Sequence, residues 1–437
     1  CVHPSKKCFA VGGIGNQPRI IVYSYPEREI VKVLRGGAER GYSSLDFNQH
    51  GTLLASVATS PDYMLTVWDW NEERINLHSK AFGQDVYNVR FSRDDDQRLT
   101  TSGIGHIRFW KLASTFTGLK LQGSIGKFGK IELSDIPTFV ELPDGKVVSG
   151  TEGGDLLLWE GHFVKCRLVR RDGSSCHSSE VTYSELDREE GVLVSASKDG
   201  FVRYWDLSTI DMAEVDSDVT MDFPIEPVGE FKPFPEASII QMVDSGLQLN
   251  NKRSYAHLLN TGDLKLLTFS VPSSLDKDAD MKLSLQAGIL AKKADSYVEK
   301  VLVRGHLGEI TGLCVAPQAH LAVTCGVDGS VKVWDYLRRS VLSQRQFDEG
   351  ASVAQWVPAD AAGASKGSKR FLVGFASGIM DVFELSSGKA GQTPILTRSM
   401  SMRPHKQNIT CAEFSVNTLR LATASHDGLL WLFDCSQ

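Results

Sequence analysis

Short runs of apolar residues, each about the length of a β-strand, recur along the whole chain and are separated by turn residues. In one clear example, apolar residues dominate 310–315, 321–324 and 331–335, and the pair Asp328-Gly329 precedes the last run. An Asp-Gly step readily adopts the left-handed backbone conformation that tight hairpins need. Three such runs in succession predict an antiparallel meander of strands.

The last run of each repeat ends in an aromatic residue, which is usually followed by a charged one. Successive aromatic residues are 42 to 65 residues apart, and most intervals lie near the roughly 40–45 residues of a four-stranded propeller blade. The two longest intervals contain insertions. The sequence therefore predicts an all-β propeller array of nine blade units. Their endings are Tyr23, Trp68-Asp69, Trp110-Lys111, Trp159-Glu160, Trp205-Asp206, Phe269, Trp334-Asp335, Phe383-Glu384 and Phe433-Asp434.

These units resemble the blades of the WD-repeat family. In that family, a histidine of a Gly-His pair, a second-strand Ser or Thr, a turn aspartate and the terminal Trp form a buried hydrogen-bond chain. The resemblance implies this structural role for His306, Thr324, Asp328 and Trp334.

The turn aspartate recurs, six residues before the terminal aromatic residue, in only some units. The resemblance extends the structural network to Asp62, Trp68, Asp199, Trp205 and Asp427. Other units have Ile104, Gly153 or Ser377 in the aspartate position, and most lack the Gly-His pair. We therefore expect irregular blades, of which not all can form the full bond chain.

The repeat spacing predicts three regions along the chain. Residues 1–270 would form six blades, with amino-terminal strands missing because Cys1 already lies inside a predicted strand. Residues 271–300 would form an insert or linker with helical character, and residues 301–437 three further blades. These three either complete one nine-bladed ring or begin a second propeller.

A second insertion, residues 208–236, carries acidic residues followed by four prolines. Because binding residues concentrate on loops of rigid scaffolds, its carboxylates are candidate partner contacts. The alternative is a solvated insertion without a partner. The candidate residues are Asp211, Glu214, Asp216, Asp218 and Asp222.

Composition narrows the classes of function. The 437 residues include 47 Lys and Arg against 53 Asp and Glu, a net charge of −6. Because phosphate contacts are made mainly by clustered cations, we expect no nucleic-acid partner. No apolar run approaches the roughly 20 residues of a membrane-spanning helix, so we expect no membrane insertion.

The sequence contains no convincing catalytic constellation. It lacks the phosphate-binding loop Gly-x-x-x-x-Gly-Lys-Ser/Thr and the zinc motif His-Glu-x-x-His. Residues 363–367 match Gly-x-Ser-x-Gly around Ser365, but a nucleophile elbow needs a strand before the serine and a helix after it. We expect no enzyme activity, cofactor, metal or small-molecule substrate, and a hydrolase remains a remote alternative.

Several strings outside the repeat motif allow a closer comparison. Residues 3–7, 80–87, 116–123, 126–130, 142–150 and 156–161 are similar to the amino-terminal WD region of the cilia- and flagella-associated WD proteins of the axoneme. The resemblance implies a noncatalytic scaffold of the ciliary and flagellar axoneme. It would belong to the tether complex that links inner-arm dynein motor domains to the doublet microtubule, and would be needed for motility.

The implied partners are inner-arm dynein heavy chains and cilia- and flagella-associated protein 43, with tubulin of the doublet microtubules as a further candidate. The alternative within the same fold is a tubulin-binding propeller of the microtubule-associated type.

Overall fold

The described part of the chain is almost entirely β-structure. The computed structural model describes residues 1–116, 118–216, 219–235, 237–249, 252–269, 298–317, 319–358, 369–386, 394–415 and 419–435. Within these ranges the one α-helix is α1 (Leu207–Asp211). No helix in them is long and apolar enough to cross a membrane.

The chain forms two compact units. The first comprises Cys1–His257 with Leu267–Val298, and the second Leu258–Leu266 with Glu299–Gln437. The described strands form nine sheets, which confirms the predicted all-β array of nine units. We call each sheet a blade and number the blades one to nine along the chain.

Blades one to five lie in the first unit. Blade one contains β1 (Cys8–Gly12), β2 (Ile20–Ser24) and β3 (Ile30–Leu34). Blade two contains β4 (Tyr42–Phe47), β5 (Leu54–Ala58), β6 (Met64–Asp69) and β7 (Arg74–Lys80). Blade three contains β8 (Val86–Phe91), β9 (Arg98–Gly103), β10 (His106–Thr115) and β11 (Gly118–Ile125).

Blades four and five share the segment that was predicted to be an insertion. Blade four contains β12 (Thr138–Glu141), β13 (Val147–Gly150), β14 (Leu156–Glu160), β15 (Phe163–Val169) and β19 (Asp222–Pro224). Blade five contains β16 (Val181–Asp187), β17 (Val192–Ser197), β18 (Val202–Asp206) and β20 (Gly229–Phe231). Residues 208–236 thus supply one strand to each blade, since β19 pairs parallel with β15 and β20 pairs antiparallel with β18.

The remaining blades complete the described strands. Blade six contains β21 (Ile239–Leu249), β22 (Lys252–Leu259), β23 (Leu264–Phe269) and β24 (Val298–Val303). Blade seven contains β25 (Ile310–Val315), β26 (Leu321–Gly326), β27 (Ser330–Asp335) and β28 (Ser340–Gln346). Blade eight contains β29 (Ala351–Trp356), β30 (Lys369–Phe375), β31 (Met380–Leu385) and β32 (Leu396–Met402). Blade nine contains β33 (Ile409–Phe414), β34 (Arg420–Ser425) and β35 (Leu430–Asp434).

The predicted helical insert lies mostly outside the described residues. Residues 270–297 are not described, and Val298–Val303 is a strand of blade six, so the last three residues of the predicted insert are not helical. The Gly-x-Ser-x-Gly match at residues 363–367 also lies outside the described residues.

The terminal aromatic residue of several blades lies at a break in strand register. The pairing of the third and fourth strands shifts between Val67 and Trp68, between Val333 and Trp334, and between Val382 and Phe383. An extra residue at such a bulge bends the strand and re-aims its side chain. The extra residue lies in the fourth strand (Asn76, Leu342 and Ser399), so the aromatic residue stays within a continuous third strand.

The described hydrophobic core consists of clusters between consecutive blades. One joins blades two and three around Trp110, another joins blades four and five around Trp205, and a third joins blades seven and eight around Phe371. Further clusters join blades one and two, three and four, and eight and nine. Blades two, three, four and eight are thus covered on both faces, which explains why apolar residues occur on both faces of their third strands.

Candidate functional site

Blade seven contains the hydrogen-bond chain that the WD resemblance implied. The Trp334 indole N–H donates to Thr324 Oγ1 at 2.7 Å. Thr324 Oγ1 lies 2.7 Å from His306 Nε2, and His306 Nδ1 lies 3.3 Å from Asp328 Oδ1. With its proton on Nδ1, the ring donates to the aspartate and accepts from the threonine. The chain ties the entry loop of the blade to its second and third strands.

Blade five forms the same chain around the predicted Asp199 and Trp205, with a histidine and a serine that the sequence analysis overlooked. His177 Nε2 lies 2.7 Å from Ser195 Oγ, and its Nδ1 lies 3.1 Å from Asp199 Oδ2. The Trp205 N–H donates to Ser195 Oγ at 2.8 Å. The histidine follows Cys176 and not a glycine, so a search for Gly-His misses it.

Blade nine has a shortened form of this chain. His405 Nε2 lies 2.9 Å from Thr423 Oγ1, and Nδ1 lies 3.2 Å from either oxygen of Asp427. Phe433 occupies the tryptophan position and has no N–H to donate. The spacing would have located all three histidines, because each lies 22 residues before its aspartate.

Blade two contains only the second half of the chain. Trp68 Nε1 donates to Ser56 Oγ at 2.8 Å, but no histidine stands opposite Asp62. That carboxylate instead accepts the Glu39 backbone N–H at 3.3 Å. The recurrence of the aspartate therefore does not imply the histidine.

Two blades that lack the aspartate use another acid in its place. In blade three, Gly105 N–H donates to Asp135 Oδ1 at 2.9 Å beside Ile104. In blade eight, the Ser377 N–H and hydroxyl donate to Glu349 at 2.9 and 3.0 Å. In both blades, the turn between the second and third strands is thus held by an acid that lies outside the turn.

Electrostatics support a structural role for the blade-five network. Burial lowers the pKa of His177 despite the adjacent carboxylate. Burial also opposes ionisation of Asp199, but hydrogen bonds from His177, Phe201 and Ser178 together hold the pKa of that carboxyl well below its usual value. Both side chains are almost completely buried, at 0% and 4% exposed. No substrate can reach these groups without opening the blade.

The acidic residues of the 208–236 segment are partly neutralised within the chain. Asp222 forms a bidentate ion pair with Arg167, with both bonds at 2.8 Å. Asp211 lies 2.9 Å from Lys146 Nζ. Glu214 is 86% exposed and its nearest cation, Lys165, is 4.0 Å away. Asp216 is exposed, and Asp218 lies outside the described residues.

A catalytic or metal-binding arrangement does not emerge from the part of the chain that the structure describes. No group of three or more His, Cys, Asp or Glu residues there could hold a metal ion. Ser365, on which the hydrolase alternative rests, is not among those residues.

Sequence comparison identifies the family of these blades. A sequence model described as the echinoderm microtubule-associated protein first beta-propeller matches residues 1–224. The chain belongs to this β-propeller family. A second model, the WD domain, G-beta repeat, matches residues 298–335 and 396–434. The latter segments contain the histidine networks of blades seven and nine.

Two curated relatives of this WD propeller match nearly its whole length. The chain is 39% identical over 443 residues to cilia- and flagella-associated protein 44 of Mus musculus, covering 99% of this chain and 22% of that protein. It is 36% identical over 441 residues to the protein of the same name from Chlamydomonas reinhardtii, covering 99% and 23%. The chain thus spans less than a quarter of these two relatives' lengths. The predicted resemblance to the ciliary WD proteins is confirmed.

A solved structure shows the same fold. The β-propeller domain of Cps50 (Swd1) from Myceliophteria thermophila aligns with a TM-score of 0.51 at 14% sequence identity, covering 77% of this chain and 95% of that one.

Proposed function

We propose that this chain is a noncatalytic scaffold of the ciliary and flagellar axoneme, within the tether complex that links inner-arm dynein motor domains to the doublet microtubule. The supporting observation is its similarity over 99% of its length to cilia- and flagella-associated protein 44 of mouse and of Chlamydomonas. Its partners would be inner-arm dynein heavy chains and cilia- and flagella-associated protein 43.

The physical character of the blades suits a tether. Buried hydrogen-bond chains join strands within blades five, seven and nine, and apolar clusters join consecutive blades. Deforming a blade would leave buried polar groups without partners, which costs about 1–3 kcal/mol for each group. Such a scaffold can transmit force between partners without losing its surface geometry.

The exposed acids after α1 are the partner contacts we favour within the 208–236 segment. Glu214 and Asp216 are exposed, and Asp211 and Asp222 pair with cations of blade four at 2.9 and 2.8 Å. The double variant Glu214→Lys/Asp216→Lys should therefore weaken partner binding without unfolding the blades. Glu27→Lys/Glu29→Lys, which makes the same charge change at exposed positions between β2 and β3, is the matched control.

The test uses the full-length protein in a ciliated cell that lacks its own copy. Removing the 437-residue region should reduce retention in axonemes, cross-linking to inner-arm dynein heavy chains and to cilia- and flagella-associated protein 43, and beat frequency. The Glu214/Asp216 variant should reduce the cross-links, while the Glu27/Glu29 variant should not. Normal cross-links and beating after removal of the region would overturn the tether proposal.

A second candidate function is direct tubulin binding. It is favoured by the match of residues 1–224 to the first propeller of echinoderm microtubule-associated protein. The test is co-pelleting of the purified chain with microtubules in the absence of dynein, together with gel filtration against soluble tubulin dimers. Co-migration in either assay supports this function, and a chain that stays apart from tubulin in both contradicts it.

A further inference from the structure

The hairpin formed by β10 and β11 is longer than the corresponding hairpins of the other blades. Its strands pair without a break from Arg108 opposite Ile125 to Thr115 opposite Gly118. In the other blades whose third strand is followed by described residues, that strand ends at or within one residue of the aromatic residue and its neighbour. Here it continues four residues past Lys111, which extends it by about 13 Å.

Contacts at both ends hold this hairpin in place. At its base, the Arg108 guanidinium lies 4.2 Å from the Trp110 ring centroid and donates to the Ala81 carbonyl at 3.1 Å. At its tip, the Thr115 hydroxyl donates to the Gly118 carbonyl at 2.7 Å. The extension is therefore a defined structural element.

The hairpin lies in a strongly basic part of an acidic chain. Residues 97–131 contain no Asp or Glu but have four lysines and two arginines. Lys111 follows the terminal tryptophan, where six other blades have Asp or Glu. The local charge is thus opposite to the net charge of −6.

Two of the lysines stand on one face without internal partners. Lys120 pairs across the hairpin with Ala113, and Ala113 is on the same face as Lys111 because side chains alternate along a strand. Both lysines are exposed, and neither forms an ion pair within the described ranges. In the adjacent blades, by contrast, Asp69 pairs with Arg74 and Glu160 pairs with Lys165.

The tip of the hairpin is apolar. Phe116 is fully exposed and Leu119 is 47% exposed, whereas Leu112, further down the same hairpin, is buried in the core between blades two and three. An exposed aromatic ring adds no burial energy to the fold, and aromatic residues are enriched in protein–protein interfaces.

We propose that the β10–β11 hairpin binds an acidic, extended segment of a partner protein that also carries apolar side chains. Lys111 and Lys120 would contact carboxylates from one face of the hairpin, while Phe116 at its tip would cover the apolar residues. Nucleic acid fits less well, because two lysines on a chain of net charge −6 neutralise few phosphates. This inference rests on the proposed scaffold function and identifies one of its contact surfaces.

The test measures binding of labelled peptides to the purified 437-residue chain by fluorescence anisotropy. A twelve-residue peptide of glutamates with two leucines should bind, and its glutamine analogue should bind at least about tenfold more weakly. Binding should weaken from about 50 to 300 mM salt, because exposed charges are screened over about 10 Å at 0.1 M. The variant Lys111→Glu/Lys120→Glu should lose at least about tenfold in affinity, and Phe116→Ser should lose affinity for the leucine-containing peptide selectively.

The matched control is Lys6→Glu/Lys7→Glu, which makes the same charge change at exposed positions before β1. It should bind like the original chain, and all variants should melt within about 2 °C of it. Equal losses in both double variants would attribute binding to net charge and overturn the proposal. No binding to the acidic peptide, or tighter binding to DNA or to anionic vesicles, would overturn it as well. Because none of these assays involves the axoneme, their failure leaves the tether test unaffected.

Discussion

Individual side chains in this propeller depend on partners that lie about 20 residues away. In blades five, seven and nine, the Ser or Thr is 18 residues after the histidine and the aspartate is 22 residues after it. Each histidine thus joins the loop before a blade to the second strand and to the turn that follows it. The strength of a network depends on how many buried groups it satisfies, so equivalent aspartates in different blades should differ in importance.

This difference can be measured by comparing two aspartates. Asp199 accepts hydrogen bonds from the Ser178 and Phe201 backbone N–H groups, and it forms an ion pair with Arg203. Replacing it with alanine should lower the free energy of unfolding by about 3 kcal/mol, because buried partners lose their acceptor. Asp62→Ala should cost about 1 kcal/mol, since Asp62 accepts only the Glu39 N–H within the described ranges. Urea titrations measure both, and equal losses would contradict the argument.

The buried ring of His257 should make the free energy of unfolding depend on pH. The ring is completely buried and neither nitrogen has a hydrogen-bond partner among the described residues, so burial lowers its pKa to about 4. The unfolded chain has a histidine pKa near 6.5 and takes up a proton first as the pH falls. Stability contributed by the neutral ring is therefore present above about pH 6.5 and declines as the pH falls towards 4. Between pH 7 and 5 the loss should be about 2 kcal/mol.

Comparing two histidine variants with the original chain isolates the pH effect of His257. The variant His257→Leu should lack this part of the decline in urea midpoint, while His320→Leu, at an exposed position, should retain it. An identical slope for His257→Leu and the original chain would show that the ring is not held neutral in the fold.

At the level of strands, sequence distance is a poor guide to which blade a segment joins. The segment 208–236 read as a loop because of its acids and prolines, yet its strand β19 follows β15 by more than fifty residues and pairs with it. Proline has no N–H to donate to a neighbouring strand. It is therefore tolerated at the end of such an edge strand, where that bond is not needed. Ion pairs to Arg167 and to Lys146 hold the segment against blade four.

The Arg167 ion pair should control the stability of β19 locally. In Arg167→Met, amide exchange in 222–225 should accelerate about fivefold, because the strand loses its bidentate anchor. Global stability should change by less than about 1 kcal/mol, since Arg167 and Asp222 are both about a third exposed. Lys165→Met, on the same strand but without a bond to β19, is the control. Hydrogen exchange with mass spectrometry measures both, and unchanged exchange in the Arg167 variant would contradict the expectation.

Across the whole molecule, the core is distributed among inter-blade clusters. A cluster around Phe371 joins blades seven and eight, and a cluster around Leu372 joins blades eight and nine. Adjacent residues of one strand thus serve different interfaces, because their side chains point to opposite faces. The second strand of blade eight is therefore sensitive to substitution on both faces.

Phe371 provides the test of this arrangement. The side chain is fully buried among aromatic neighbours, with Trp356 at 5.4 Å and Phe383 at 5.8 Å between ring centroids. Phe371→Ala should cost about 3–5 kcal/mol, while Ile395→Ala, at a position 65% exposed, should stay within about 0.5 kcal/mol. Chemical denaturation measures both. A loss below about 1 kcal/mol at Phe371 would show that this interface is not well packed.

The repeat count, the strand pattern and the blade-seven network could be read from the sequence because they depend on local signals. Strand alternation, Asp-Gly turns and an aromatic ending recur within each repeat. Asp199, Trp205 and Asp427 were also predicted, but His177 and His405 were missed because the predicted histidine was one preceded by glycine. The geometry requires only a ring that reaches a hydroxyl and a carboxylate.

Contacts between blades were decided by the tertiary structure. Asp94 and Arg188 are 94 residues apart in the sequence, yet their side chains form paired bonds of 2.9 and 2.7 Å. Asp187 beside them is buried and bonded to Arg253. A linear pattern defines how each strand pairs with its neighbours. It does not encode which turns meet after the blades pack, because that depends on the summed twist and spacing of several sheets.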